Sequence, residues 1–270
     1  VERRYPGMIP HLSSCKSPQQ MMGSTVKNHF AQRAGLSLDN LYVVSIVPCL
    51  AKKYEAGRPE FAPAGIRDVD AVLTTTEFIE MVEMLRLQPE DIQPAEFDAP
   101  YQQVSGAGVL FGASGGVAEA ALRAAVEKMT GKPLVERLNY EPAVGMPGVK
   151  TATVVADGRT LRVAAVSGLG NADPLVKRIL AGEDLGFDMI EVMACPGGCI
   201  QGAGHPVPSQ VGELVAREKV LDYIDNTAQV HGSQDNLDVM SLYVDFFGEP
   251  NSPRAHDLLH TTYAPFRTQS

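Results

Sequence analysis

FDMIEVMACPGGCIQGAGHP, residues 187–206, joins an apolar run to a glycine-rich turn that carries two thiols. FDMIEVM (187–193) has the length and composition of a buried strand. Pro196 ends it, and Gly197, Gly198, Gly202 and Gly204 leave the following backbone almost bare of side chains. Cys195 and Cys199 flank Pro196-Gly197-Gly198, so two soft ligands stand at one strand end with room for something bulky to approach.

The same alternation recurs outward from this stretch. LYVVSIV (41–47) is a β-branched run that stops at Pro48-Cys49, and DAVLTTT (70–76) predicts a second strand. TEFIEMVEML (76–85) predicts a helix with Thr76 as its N-cap and Phe78, Ile79, Val82 and Leu85 at helical spacing. ASGGVAEAALRAAVEKMTG (113–131) reads as a glycine-opened helix. TATVVADGRTLRVAAVSG (151–168) predicts two strands about the turn Asp157-Gly158, followed by a Gly-Asn-Ala-Asp turn and the helix PLVKRILAG (174–182). The sum is an α/β architecture with largely parallel sheets flanked by helices. Ligands of such folds bind beyond the carboxyl ends of the strands. Cys49 follows one strand and Cys195 another, so Cys49, Cys195 and Cys199 are expected to converge there. From about residue 213, VGELVAREKVLDYIDNTAQV, LDVMSLYVDFFGEP and AHDLLHTTY predict a helical tail packed on the sheet domain.

Composition sets the limits. With 270 residues, 44% of them hydrophobic, the chain can bury one large core or two small ones. A net charge of −9 argues against a nucleic-acid partner. No stretch approaches the roughly 18 apolar residues of a membrane span, and VERRYPGMIP has no apolar signal core. Four cysteines are too few for a disulfide scaffold of this length, which predicts reduced thiols in an intracellular setting. The chain does not begin with Met, so it is expected to be processed or part of a longer polypeptide.

Only one cysteine pair is close in sequence, whereas zinc knuckles come as two such pairs; a wider iron–sulfur cluster fits better than a structural zinc ion. Lys52 and Lys53, beyond a strand end, are either solvated or available to an anionic ligand, and Glu55 could neutralise such a lysine or carry protons. Cys15 in HLSSCKSPQQ reads more readily as a small buried residue than as a ligand. His256 and His260 could share a helix face but lack the Glu and the third ligand of a hydrolytic zinc site. SGAGVLFGASGG (105–116) lacks the glycine spacing of a dinucleotide site.

SSCKSPQQ (13–20), VPCLAKKYE (47–55), GASGGVAEAALR (112–123) and EVMACPGGCIQGAGHP (191–206), in that order, resemble the signatures of the FeFe hydrogenases. The likeness covers nearly the whole chain, and DFFGEPNSPRAHDLLHTTY (245–263) is similar to the small-subunit-like end of single-chain members. The resemblance implies a two-lobed α/β fold with twisted parallel sheets and the cofactor between the lobes. It divides the chain into an H-cluster domain, 1–212, and a small-subunit-like helical tail, 213–270. The implied cofactor is the H-cluster, a 4Fe-4S cubane joined to a two-iron unit carrying CO, cyanide and azadithiolate. The implied reaction is the reversible union of two protons and two electrons into dihydrogen.

Matched by motif, Cys49 and Cys195 would ligate the cubane and Cys199 would bridge it to the two-iron unit. Lys52 would hydrogen-bond a cyanide, while Met193, Phe111, Pro18 and Gln19 would line the pocket. Ser13 matches the serine of the proton path, and Glu55 is a further candidate in that chemistry. The implied partners are ferredoxin or NAD(P)-linked flavoprotein subunits and the hydrogenase maturation proteins. The fused tail points to the cytoplasm.

The family's first motif, TSCCPxW, with the fourth cubane cysteine, is absent from this sequence, so the chain is expected to be part of a longer enzyme and inactive alone. Val47 stands where a methionine is usual, and Ala203 where glycine is. The alternative is a non-catalytic iron–sulfur protein of the same fold, with an assembly or sensory role. Lys52, Glu55, Met193 and SPQQ favour the hydrogenase, because a plain cubane needs none of them.

Overall fold

The structure is a computed structural model and describes residues 1–208, 210 and 212–266. Val211, at the head of the helical segment expected from the sequence, lies outside them. The chain forms two compact units. One holds Val1–Gln102, Gly204–Pro206 and the described residues from Ser241 on; the other holds Gln103–Ala203 and Val207–Met240.

In the first unit, α1 (Pro18–Thr25) opens on Ser17, whose hydroxyl accepts the Gln20 N–H, with Pro18 at the first helical position. It continues through a wide turn at Val26–Phe30 into α2 (Ala31–Ala34). Next come β1 (Val44–Val47), α3 (Ala51–Ala56), β2 (Ala71–Thr74) and α4 (Thr75–Met84). β1 and β2 pair in parallel, Val44 opposite Ala71, over a small core of Ala56, Val69 and Val72.

The cap of α4 is Thr74 rather than Thr76. Glu77, three residues on, returns its carboxylate to the Thr74 N–H at 2.8 Å, a reciprocal capping box that a start at Thr76 could not form. Thr76 instead directs its N–H and its hydroxyl to the Gly204 carbonyl.

The second unit contains α5 (Gly106–Leu110), α6 (Gly116–Thr130), β3 (Glu141–Pro142), β4 (Val149–Ala156), β5 (Arg159–Ser167), α7 (Leu169–Leu180), β6 (Met189–Met193), α8 (Glu213–Thr227) and α9 (Leu237–Leu242). Its sheet runs in the order β3-β4-β5-β6. The sheet is mixed: β3–β4 and β4–β5 are antiparallel and only β5–β6 is parallel. The tight turn at Asp157-Gly158, both at positive φ, makes the antiparallel hairpin expected from the sequence, so the sheet is mixed rather than largely parallel.

Val163 to Val166 of β5 are fully buried. Ala164 and Val166 face Ala172 and Leu175 of α7, while Val163 faces Ala118 and Leu122 of α6, so alternate residues fill a core on each side of the sheet. α7 begins at Leu169, five residues before the expected start, because Gly168 at φ 91° releases the chain directly into the helix and Pro174 is accommodated inside it. The last helix, α10 (Pro253–Leu259), belongs to the first unit, where Ala255 and Leu259 pack with Phe247 and Met21. Among the described residues no helix is long and apolar enough to cross a membrane.

Candidate metal centre

In the first unit, Cys49 lies just beyond β1 and is partly buried. The end of the opening stretch meets it there. The Gly204 N–H donates to the Pro48 carbonyl at 3.3 Å, and the Gly204 carbonyl accepts from the Thr76 N–H at 3.0 Å. A Cβ at 204 would stand 2.9 Å from the Thr74 side chain and 3.0 Å from the Cys49 nitrogen, so only glycine lets the two backbones come this close.

One turn further, α3 places Lys52 and Glu55 on one face, Nζ to Oε2 2.9 Å. The other Glu55 oxygen accepts a short hydrogen bond from the Ser17 hydroxyl. Gln19 Nε2 donates to the Lys52 carbonyl at 3.2 Å, while its Oε1 is buried with no partner. Lys52, Glu55, Ser17 and Gln19 thus form one polar group beside Cys49. Pro18 is exposed at the head of α1, and Ser13 is exposed with its Oγ accepting the Cys15 N–H at 3.3 Å. Cys15 is exposed and bridges to His260, whose ring stacks on His256 with centroids 4.7 Å apart.

In the second unit, Met193 ends β6, and Cys195 and Cys199, both partly buried, bracket the turn that follows. The Gly198 N–H donates to the Cys195 carbonyl at 3.1 Å. Gly198, at φ 87° and ψ −160°, adopts a conformation essentially reserved for glycine, and a Cβ there would lie 2.7 Å from the Ser114 nitrogen. The Ile200 N–H donates to the Gly112 carbonyl at 2.9 Å, which brings Phe111, the residue before Gly112, to the segment that carries Cys199. Glu191, 6% exposed, receives the Gly115 and Ala118 N–H groups on its two oxygens at 2.6 and 2.8 Å and so caps α6.

The sequence-predicted residues therefore fall into two sets: Cys49, Lys52, Glu55 and Gln19 in the first unit, and Cys195, Cys199, Met193 and Phe111 in the second. Sequence reasoning missed Ser17 and Glu191. The first carries the sequence signal of a Ser-Pro helix start, the second that of a lone carboxylate in an apolar strand. Among the described residues, no three His, Cys, Asp or Glu side chains are gathered to hold a single metal ion.

Over residues 1–203 the chain matches the iron only hydrogenase large subunit, C-terminal domain, and over residues 212–265 it matches the iron hydrogenase small subunit. The chain belongs to the iron-only hydrogenase family. It is 43% identical, over 97% of its length and 44% of the relative's, to the NADP-reducing hydrogenase subunit HndD of Solidesulfovibrio fructosivorans. It is 36% identical, over 97% of its length and 46% of the relative's, to iron hydrogenase 1 of Clostridium pasteurianum. A cytosolic Fe-S cluster assembly factor, narfl of Xenopus tropicalis, is 34% identical over 95% of the chain and 54% of that protein.

The chain thus spans about half the length of the curated relatives it matches. Among solved structures, the apo FeFe-hydrogenase HydA1 of Chlamydomonas reinhardtii superposes with a TM-score of 0.85 at 36% identity, covering 98% of this chain and 73% of that one.

Membership of the iron-only hydrogenases implies an iron–sulfur cofactor, and the residues present fit one. Cys49, Cys195 and Cys199 are partly buried thiols outside any disulfide, and thiolate is the ligand iron–sulfur clusters take. The Gln19 Oε1 oxygen is a buried polar atom with no hydrogen-bond partner.

Proposed function

We propose that this chain is the cluster-binding portion of a hydrogenase, with residues 1–212 as the H-cluster domain and 213–270 as the small-subunit-like tail. Cys49 and Cys195 hold the cubane, and Cys199 joins it to the two-iron unit. The H-cluster, when bound, supplies the iron at which two protons and two electrons become dihydrogen.

The residues of the chain do the rest. Lys52 offers an ammonium to an anionic diatomic ligand, and Glu55, 2.9 Å away, orients it. Glu55 and the Ser17 hydroxyl, bonded to each other, can exchange a proton, and Ser13 offers a further hydroxyl for delivery. Met193, Phe111, Pro18 and Gln19 would line the pocket that holds the irons. The observation that carries this reading is the Lys52–Glu55–Ser17–Gln19 group beside Cys49, since a cubane that only transfers electrons requires no such group.

Electrons would pass to ferredoxin or to NAD(P)-linked flavoprotein subunits; the name of the HndD relative supports the second. Hydrogenase maturation proteins would install the two-iron unit, and the cytoplasm would be the compartment. A second reading, a non-catalytic iron–sulfur assembly protein, draws support from the likeness to the narfl assembly factor.

Isotope exchange separates the two. The full protein, produced with hydrogenase maturation proteins, is expected to exchange dihydrogen with heavy water. Iron-loaded protein with no exchange would overturn the catalytic reading. Lys52→Asn is expected to leave cubane iron in place and abolish assembly of the two-iron unit; retained exchange would remove Lys52 from that role.

A further inference from the structure

The second unit has a half-open cavity of about 480 Å³ whose lining holds none of the residues assigned to the cluster. Its volume lies within the roughly 300–1,000 Å³ of small-molecule sites. Its lining includes Gly197, Ile200 and Gln201 of the cysteine turn and Leu214 and Val215 of α8. Lys150 of β4 also lines it.

Lys150 is the only cation among the lining residues. Its ammonium lies 4.7 Å from the centroid of the Tyr140 ring, and that ring is fixed by a hydrogen bond from the tyrosine hydroxyl to the Gly115 carbonyl at 2.9 Å. No carboxylate among the described residues lies within 4.0 Å of it, and burial pulls its pKa downward. The Ser114 hydroxyl, in the same lining, is buried without a hydrogen-bond partner. Ser167 Oγ accepts the Gly197 N–H at 2.6 Å and keeps its own proton to give.

A half-buried ammonium that feels the charge of Glu218 but has no carboxylate in ion-pair contact among the described residues, and a buried hydroxyl with no partner, each carry a desolvation cost that a bound anion offsets. Three features fix the class of anion. A single lysine is a point charge, without the fork of an arginine to clasp a phosphate. The N–H groups of Gly115 and Ala118 at the start of α6 are already taken by Glu191. Glu218 on α8 lines the cavity and repels a second negative charge, while Ile200, Leu214 and Val215 present aliphatic surface.

We infer that the cavity binds a short-chain aliphatic monocarboxylate, its carboxylate held by Lys150 and Ser114 and its alkyl tail laid against Ile200, Leu214 and Val215. The ligand would touch Gly197 and Ser167, so its occupancy would be felt by the turn between Cys195 and Cys199. Neither the binding nor its test depends on whether the cluster is catalytic.

Equilibrium dialysis of the full protein with radiolabelled butanoate tests it. Saturable binding of one butanoate per chain is expected, undisturbed by equimolar inorganic phosphate. Lys150→Met should weaken it at least about tenfold, Ser114→Ala by about three- to tenfold, and Lys150→Arg should restore most of it. Glu218→Gln should let phosphate compete. Absence of saturable binding, unchanged affinity in Lys150→Met, or displacement of butanoate by phosphate in the unaltered protein would overturn the inference.

Discussion

Glu191 is a charged side chain in an apolar strand, and its position explains why it is tolerated. Its two oxygens receive two α6 amides, joining the strand that leads to Cys195 to the helix packed on that strand's sheet. Glu191→Gln removes the charge and turns one acceptor into a donor facing an N–H. The expected cost is about 1.5–3 kcal/mol, read as a lower urea midpoint. Glu77 makes a pH prediction. The Lys53 ammonium, and then the Thr74 amide, hold its carboxyl down to about 2 from an ordinary 4.5. A carboxyl depressed in the folded state stabilises fully above the unfolded value and less as pH falls through the folded one. The α4 capping box should therefore persist through pH 4.5 and loosen only near pH 2, with a carbon-13 titration of Glu77 centred there; a midpoint near 4.5 would refute it. At this scale the placement of Cys49 and Cys195 just beyond strands was legible, because strand ends announce themselves by composition. Ser17 and Glu191 were not, because each gains its role from a partner 38 or more residues away.

Among the elements, the tightest constraint is the turn between the two close cysteines. Gly198→Ala would put a methyl group 2.7 Å from the Ser114 nitrogen in a conformation alanine avoids, so the turn must move. Iron and sulfide content of the purified variant should fall well below that of the parent, while an equivalent Gly182→Ala change, with nothing within 4 Å, should leave both unchanged. α6 and α8 are joined by a buried network: Arg123 donates to Asp225 through two bonds of 2.8 Å and to Glu119 at 2.8 Å. Arg123→Leu leaves Asp225 buried without its arginine and Glu119 with Arg137 alone, and should cost about 3–5 kcal/mol, seen as a large drop in thermal midpoint. The strands and the Asp157-Gly158 turn were readable because period-2 burial and positive-φ turn residues are local signals. The start of α7 and the cap of α4 were not, since each depends on which of several adjacent residues finds a partner.

For the whole molecule, the sequence motifs identify a family more sharply than the periodicities identify a topology. Hydrophobic runs cannot distinguish a parallel strand from the centre of a mixed sheet, because β5, buried on both faces, reads the same in either. Nor does composition divide the chain as its contacts do, with Gly204–Pro206 grouped with the first unit and the residues around them with the second. The hydrogenase subunit HndD and the assembly factor narfl share 43% and 34% identity with this chain over nearly all of its length, so likeness alone does not choose between them. The polar group of Lys52, Glu55, Ser17 and Gln19 does favour one, and its consequence is spectroscopic. Infrared spectra of the full protein, matured with hydrogenase maturation proteins and loaded with iron and sulfide, test the central claim most directly. Bands of iron-bound CO and cyanide are the predicted result; a protein rich in iron and sulfide whose spectrum is empty of both would contradict it.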